Sequence, residues 1–190
     1  MYKRQGLIRA GISVHAFNHR DIAGIFDMIR TVGALTGVPE KTETLAHSLQ
    51  ARLDERRTIA AQLQRKPRVY FEEWDDPMIS GIKWVSELIA TAGGIEVFPA
   101  LAERKNAKDR IVSVNDVIAA APDIIVGSWC GKKFVPDKVC ARAGFDAIPA
   151  VRSGWLREIK SPLILQPGPA ALTDGLDALA AMFAEWAAQA

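Results

Sequence analysis

Cysteine and histidine are scarce in this chain, with two of the former and three of the latter among 190 residues. Cys130 and Cys140 lie ten residues apart and make no disulfide framework, so two bystander thiols are expected. His15, His19 and His47 form no zinc spacing with them, and a strand end predicted between His15 and His19 removes the helical i,i+4 geometry, so no metal site is expected. An excess of one charge is also missing. The 24 basic and 22 acidic side chains are mixed along the sequence and leave a formal charge of +2, which excludes a phosphate backbone held by bulk charge; no nucleic-acid partner is expected. No stretch approaches the roughly 18 to 20 uncharged apolar residues that span a bilayer, and Met1-Tyr-Lys-Arg-Gln-Gly6 has no secretory apolar core; as written, the chain is expected in the cytoplasm. The absence of Gly-x-Gly-x-x-Gly, P-loop and Gly-x-Ser-x-Gly elements argues against dinucleotide, nucleotide and serine-hydrolase chemistry.

What is present suits one or two ordinary cores, since 49% of the residues are hydrophobic and 24% charged. Met1 to Ala10 reads as the tail of a helix, and Ile12 to Phe17 as a strand followed by capping residues Asn18 and Asp21 and a periodic helix from Ile22 to Val32. After Gly37-Val-Pro39, Glu40 to Arg65 predicts one long helix, about 39 Å at 1.5 Å per residue. Beyond Lys66-Pro67 the pattern becomes α/β. Strands are predicted at 68–73, 124–126, 147–151 and 156–159, with helices at 81–92, 114–121 and 168–188. The expected domains are 1–37, a connecting helix at 38–66, and an α/β lobe with a parallel-type sheet at 67–190.

The most informative segment is Arg68-Val-Tyr-Phe-Glu-Glu-Trp74, followed by Asp75-Asp-Pro-Met-Ile-Ser-Gly81. A buried strand there ends in carboxylates and an aromatic, and the carboxyl ends of parallel strands are where clefts form. Gly127-Ser-Trp129 repeats the arrangement after the second strand, so Trp74 and Trp129 are candidates to line one cleft with flat apolar faces, against the plainer reading of core-edge tryptophans. Glu72, Glu73, Asp75 and Asp76 could instead serve a small α/β metal-dependent hydrolase, because paired carboxylates shift each other's pKa and oxygen ligands suit hard cations. Neighbouring residues alternate faces on a strand, however, which should turn Glu72 and Glu73 apart and leave a solvated strand end. Lys132 and Lys133 follow a Gly-bounded turn and could hold an anionic ligand edge, although adjacent lysines are usually wet surface, while Arg110 and Arg152 are each placed beside a predicted strand.

Tyr70 to Gly81, Trp84 to Gly94, Ala121-Pro-Asp-Ile-Ile-Val-Gly-Ser-Trp129 and Gln166-Pro-Gly-Pro169 resemble the substrate-binding proteins of ABC importers for cobalamin, iron-siderophores and haem, and most of all the cobalamin-binding members. The resemblance implies two α/β lobes joined by a long helix, with ligand clamped between them. It implies no catalytic residue, no resident cofactor, and a ligand that is cobalamin, or alternatively haem or a ferric siderophore. Trp74, Trp129, Glu73, Arg110 and Met78 would contact that ligand, and Asp116 would take the place of a docking glutamate against the ABC permease. Members of the family are exported to the periplasm or anchored outside the membrane and carry a fuller N-terminal lobe, so the chain is expected to be the back two-thirds of such a protein. An exposed sheet edge left in that way could pair with a second copy in a homodimer.

Overall fold

Residues 2–189 are described in a computed structural model, with side chains from Arg4 onward; Met1 and Ala190, the outer bounds of the expected first and last segments, lie outside the described residues. Helix α1 (Tyr2–Arg9) is followed by an extended stretch and then α2 (Ile22–Leu35), started by the Asp21 carboxylate, which accepts the Gly24 N–H at 2.8 Å. Gly37, at a φ of +73°, turns the chain into α3 (Pro39–Ala60), whose proline occupies the first helical turn, where its missing N–H has no helical partner to lose.

Two expectations about this half are corrected. Residues 12–17 form no strand: no described strand pairs with them, and the alternation is realised as an extended segment whose His15, Phe17 and His19 rings stand 4.6 and 5.7 Å apart in succession. The long helix stops at Ala60, about 33 Å from its start at 1.5 Å per residue, and the chain turns after it to set Leu63 against Gly93.

The apolar run at residue 69 becomes the centre of a sheet. Strand β1 (Arg68–Asp75) runs into β2 (Met78–Ser80) through a turn with a cis Asp76–Pro77 peptide. There follow α4 (Lys83–Thr91), β3 (Ile95–Glu96), α5 (Pro99–Ala102), α6 (Val114–Ala120), β4 (Ile124–Gly127), α7 (Pro136–Cys140), α8 (Pro149–Arg152), β5 (Leu156–Glu158), α9 (Ser161–Ile164) and α10 (Leu176–Ala188), the last led in by one wide turn at 171–175. β1 pairs in parallel with β4 and, at its start, with β3; β4 pairs in parallel with β5; β2 runs antiparallel to the end of β1. This is the expected open, mostly parallel α/β sheet.

Alternation along β1 and β4 divides the core between the two faces of the sheet. Val69, Phe71, Ile124 and Val126 pack with Leu49, Leu53, Leu88, Ile89, Leu179 and Phe183, so α2, α3, α4 and α10 cover one face. Tyr70, Ile125 and Leu156 pack with Val117, Val139, Phe145 and Ile148 from α6, α7 and the segment before α8. Register between β1 and β4 is pinned by Asp123, whose carboxylate accepts the Arg68 N–H at 2.8 Å while its own N–H returns to the Arg68 carbonyl. The strand predicted at 147–151 is α8 instead. Pro149 has no N–H for a sheet ladder and sits in the first turn of that helix, where none is needed.

Candidate ligand cleft

The carboxyl ends of β1, β4 and β5 meet at one edge of the sheet, and two layers of polar side chains are built there. The lower layer begins with Glu72, which is 0% exposed. Its carboxylate accepts two hydrogen bonds from Arg142, at 2.5 and 2.9 Å, and a third from the Trp129 indole N–H at 2.9 Å. A fully buried carboxylate is tolerable only when its lone pairs are taken up this way. Glu72 also acts on Tyr70 beneath it, whose hydroxyl is held well above its ordinary range first by burial and then by that negative charge.

Trp129, 2% exposed, is fixed by this bond and by an edge contact with Phe134, ring centroids 5.0 Å apart. Phe134 lies so close over β4 that a Cβ on Gly127 would stand 1.9 Å from its ring, so glycine is required there by space. Glu158, at the end of β5, accepts the Phe134 N–H at 3.1 Å and closes the layer.

The upper layer is more open. Trp74 is half-buried, with its indole N–H donated to the Asp76 carbonyl at 2.8 Å. Gly131 takes a φ of +77° in a tight turn closed by the Lys132 N–H on the Trp129 carbonyl at 3.2 Å. That turn brings the Lys132 ammonium 3.9 Å from the centre of the Trp74 ring and 5.8 Å from that of Trp129, in an ion pair with Asp75. Burial is the largest single influence on Asp75 and works to raise it, but the Lys132 hydrogen bond, a backbone hydrogen bond and the Lys132 and Lys138 charges together outweigh it, and the carboxyl lies below its usual range. Beside these groups opens a cleft of about 600 Å³ lined by Trp129, Gly131, Lys132, Lys133, Glu158 and Lys160. That is room for a bound small molecule.

The sequence-predicted residues divide between these layers and the interior. Trp74 and Trp129 both lie near the Lys132 ammonium, and Trp129 forms the floor and not an open platform. Glu72 and Glu73 do turn apart: the register with β2 shifts between Glu72 and Trp74, a bulge that aims Glu73 at Arg110. Neither is a solvated strand end, because Glu73 accepts from Arg110 at 2.7 and 3.2 Å. Arg110 is 1% exposed and bonds the Ser80 carbonyl as well, and Met78, 8% exposed, packs in the second core with Tyr70 and Val112. Both therefore lie beneath the strand end rather than in the cleft. Arg152 is exposed on α8.

Asp116 caps α6, accepting the Ser113 N–H at 2.8 Å and its hydroxyl at 2.6 Å in a capping box. The acidic cluster at 72–76 is dispersed, with Glu72, Glu73 and Asp75 each paired to a different cation, and no group of three metal-ligating side chains occurs among the described residues. Cys130 and Cys140 are free and exposed. Arg142 is not anticipated from the sequence, and Lys132 is anticipated there only as a second choice to wet surface. The sequence signal for Lys132 is Gly131, which turns the chain back over Trp129; nothing local marks Arg142, whose partner is 70 residues away.

The sequence model of the periplasmic binding protein family matches residues 4–163, most of the chain. The chain belongs to that family. No curated protein sequence matches it. Among solved structures, this binding protein is similar to a "possible" iron-binding (periplasmic solute-binding) protein from Staphylococcus epidermidis, at 20% identity over 94% of this chain and 69% of that one, with a TM-score of 0.79. It is likewise similar to the periplasmic haem-binding protein RhuT from Roseiflexus sp. RS-1 (24% identity, 95% and 72% covered, TM-score 0.77). A third likeness is to the periplasmic vitamin B12 binding protein BtuF of Vibrio cholerae (20% identity, 97% and 70% covered, TM-score 0.69). At these identities the likeness establishes the fold. The family is one of solute-binding components of ABC transporters, which act outside the cytoplasm and are not enzymes. No described helix is long and apolar enough to cross a membrane.

Proposed function

We propose that this binding protein holds cobalamin or a related metal chelate, haem or a ferric siderophore, at the carboxyl ends of β1, β4 and β5 and delivers it to an ABC permease. The observation that carries this reading is the convergence of Trp74 and Trp129, from two separate strand ends, on the Lys132 ammonium, beside a cleft of about 600 Å³ that Trp129 and Lys132 line. Apolar burial against Trp74 would supply affinity, and the polar groups around it would set orientation. Among similar structures are a vitamin B12 binding protein and haem-binding proteins, which is the ligand chemistry such a wall suits. Asp116, at the amino end of α6, is the proposed contact with the permease; its second carboxylate oxygen accepts no hydrogen bond among the described residues.

Calorimetry with cyanocobalamin, haem and a set of ferric siderophores tests the reading. One of them should bind with one-to-one stoichiometry, and Trp74→Ala should weaken it by about tenfold, the loss of a single aromatic platform of ~1.4 kcal/mol. If no member of the panel binds, the ligand assignment falls.

A further inference from the structure

Lys132 occupies the place where a flat ligand would stack. Its ammonium stands 3.9 Å from the centre of the Trp74 ring, is anchored to Asp75, and is held over the two tryptophans by the Gly131 turn. No Cβ at Gly131 would meet another atom within 4 Å, so the glycine is there for its backbone angle, and that angle aims Lys132 back across the cleft. A planar chelate can reach the Trp74 face only when this ammonium moves. Its four-carbon stem permits the movement, and the side chain is 41% exposed.

Movement has an electrostatic consequence. The ammonium gives up a carboxylate and an aromatic face, and a neutral ligand offers nothing in return. Lys132 remains in a cleft that also holds Lys133 and Lys160, neither of which has an ion-pair partner among the described residues, against the single carboxylate of Glu158, already engaged by the Phe134 N–H. Asp75, left behind, stays in the field of Lys138. An anionic group at the ligand's edge would replace Asp75 as the partner of Lys132 and meet two further lysines.

We infer that Lys132 is a specificity-determining residue of this cleft, selecting metal chelates that carry an anionic group at the rim over neutral chelates of the same shape. This rests on the ligand reading given above. Lys132 leaves Trp74 when the ligand stacks there and pairs with the ligand's anionic edge; the exchange of one ion pair for another is what keeps the displacement from opposing binding.

The test uses twin probes of nearly the same shape that differ chiefly in charge: haem and its dimethyl ester, and cyanocobalamin and a monocarboxylate made from one of its peripheral amides. Binding is followed by tryptophan quenching and calorimetry at pH 7.5 and low salt. For whichever macrocycle binds, the anionic twin should be favoured by about tenfold, the size of one charge-assisted hydrogen bond. Lys132→Met should bring the twins to within about twofold of each other, and Lys132→Arg should keep the preference. Equal binding of both twins by the unaltered chain overturns the inference and leaves the ligand reading standing. A preference that survives Lys132→Met overturns the role of Lys132. Binding of none of the four, and of no member of a matched pair of anionic and neutral ferric siderophores, removes the ligand reading and this inference together.

Discussion

A carboxylate, a cation and a tryptophan meet twice at the end of β1. In the floor they are Glu72, Arg142 and Trp129, with the carboxylate 0% and the Arg142 side chain 15% exposed; at the rim they are Asp75, Lys132 and Trp74, with the ammonium in contact with water. The chemistry is the same and the burial is not. In the floor every lone pair of Glu72 that faces the interior must be satisfied, so arginine, with its fork of donors, holds two carboxylate oxygens at once. At the rim water can replace either partner, and a single flexible ammonium suffices. The floor is therefore a fixed support and the rim a movable cover. That difference allows one residue set to hold a cleft wall while the other gives way to a ligand.

The comparison breaks most directly at Arg142. Arg142→Met leaves Glu72 buried with only the Trp129 indole as a partner, and should destabilise the chain by about 3 to 5 kcal/mol in urea unfolding. Adding Glu72→Gln to that variant should recover much of the loss, because the amide can still accept the Trp129 N–H and carries no charge to strand. Near-ultraviolet circular dichroism should report Trp129 loosening in the single variant and returning in the double. A loss under about 1 kcal/mol for Arg142→Met would mean that burial does not separate floor from rim.

Glu96 sharpens the comparison by supplying the missing case, a largely buried carboxylate with no cation. Neither of its buried oxygens has a well-formed hydrogen bond among the described residues, and burial pushes its pKa from 4.5 up to about 7, with the nearby Phe98 N–H a partial counterweight. The folded chain thus keeps a proton that the unfolded chain releases near pH 4.5. Stability should fall as pH rises from there to about 7 and stay level above, a total of about 3 kcal/mol at 1.36 kcal/mol per pKa unit. Glu96→Gln should flatten that slope, so its gain over the parent chain should be large at pH 8 and nearly absent at pH 4.5 in urea unfolding. An equal gain at both values would show that the effect is packing and not charge.

How far this arrangement could be read in the sequence depended on where its information lay. The apolar runs at 69–71 and 124–126 are buried on both faces by helices, so composition alone marked them as strands, and Trp74 and Trp129 followed as strand-end residues. Residues 12–17 show similar alternation, but a strand needs a partner, and local pattern does not supply one. Pro149 argued against a strand at 147–151, and the run of apolar residues around it obscured that signal. The floor was hidden for a different reason. Glu72 and Arg142 meet across 70 residues, and Arg142 sits just past a short helix with no periodicity to aim it. Arg110 and Met78 were expected at the ligand, and the bulge at Glu73 that draws Arg110 beneath the sheet was not legible.

The smallest expected effect belongs to the rim. Lys132→Met removes the ion pair with Asp75 and the contact with Trp74, yet exposed pairs of this kind contribute about 0 to 1 kcal/mol, since water and salt stand in for either partner. What remains should depend on conditions in two ways. It should shrink between low and high salt, because screening acts on exposed charges. It should also vanish in acid: Asp75 lies below its usual range, so its contribution is present above the ordinary carboxylate range and is lost as pH falls through the depressed value. Urea unfolding of the parent and the Lys132→Met variant at pH 7 and pH 3, in low and high salt, measures all three. A loss above about 2 kcal/mol at neutral pH, unaffected by salt, would place Lys132 with Arg142 as a support, and the cover could then not be moved by a ligand of ordinary affinity.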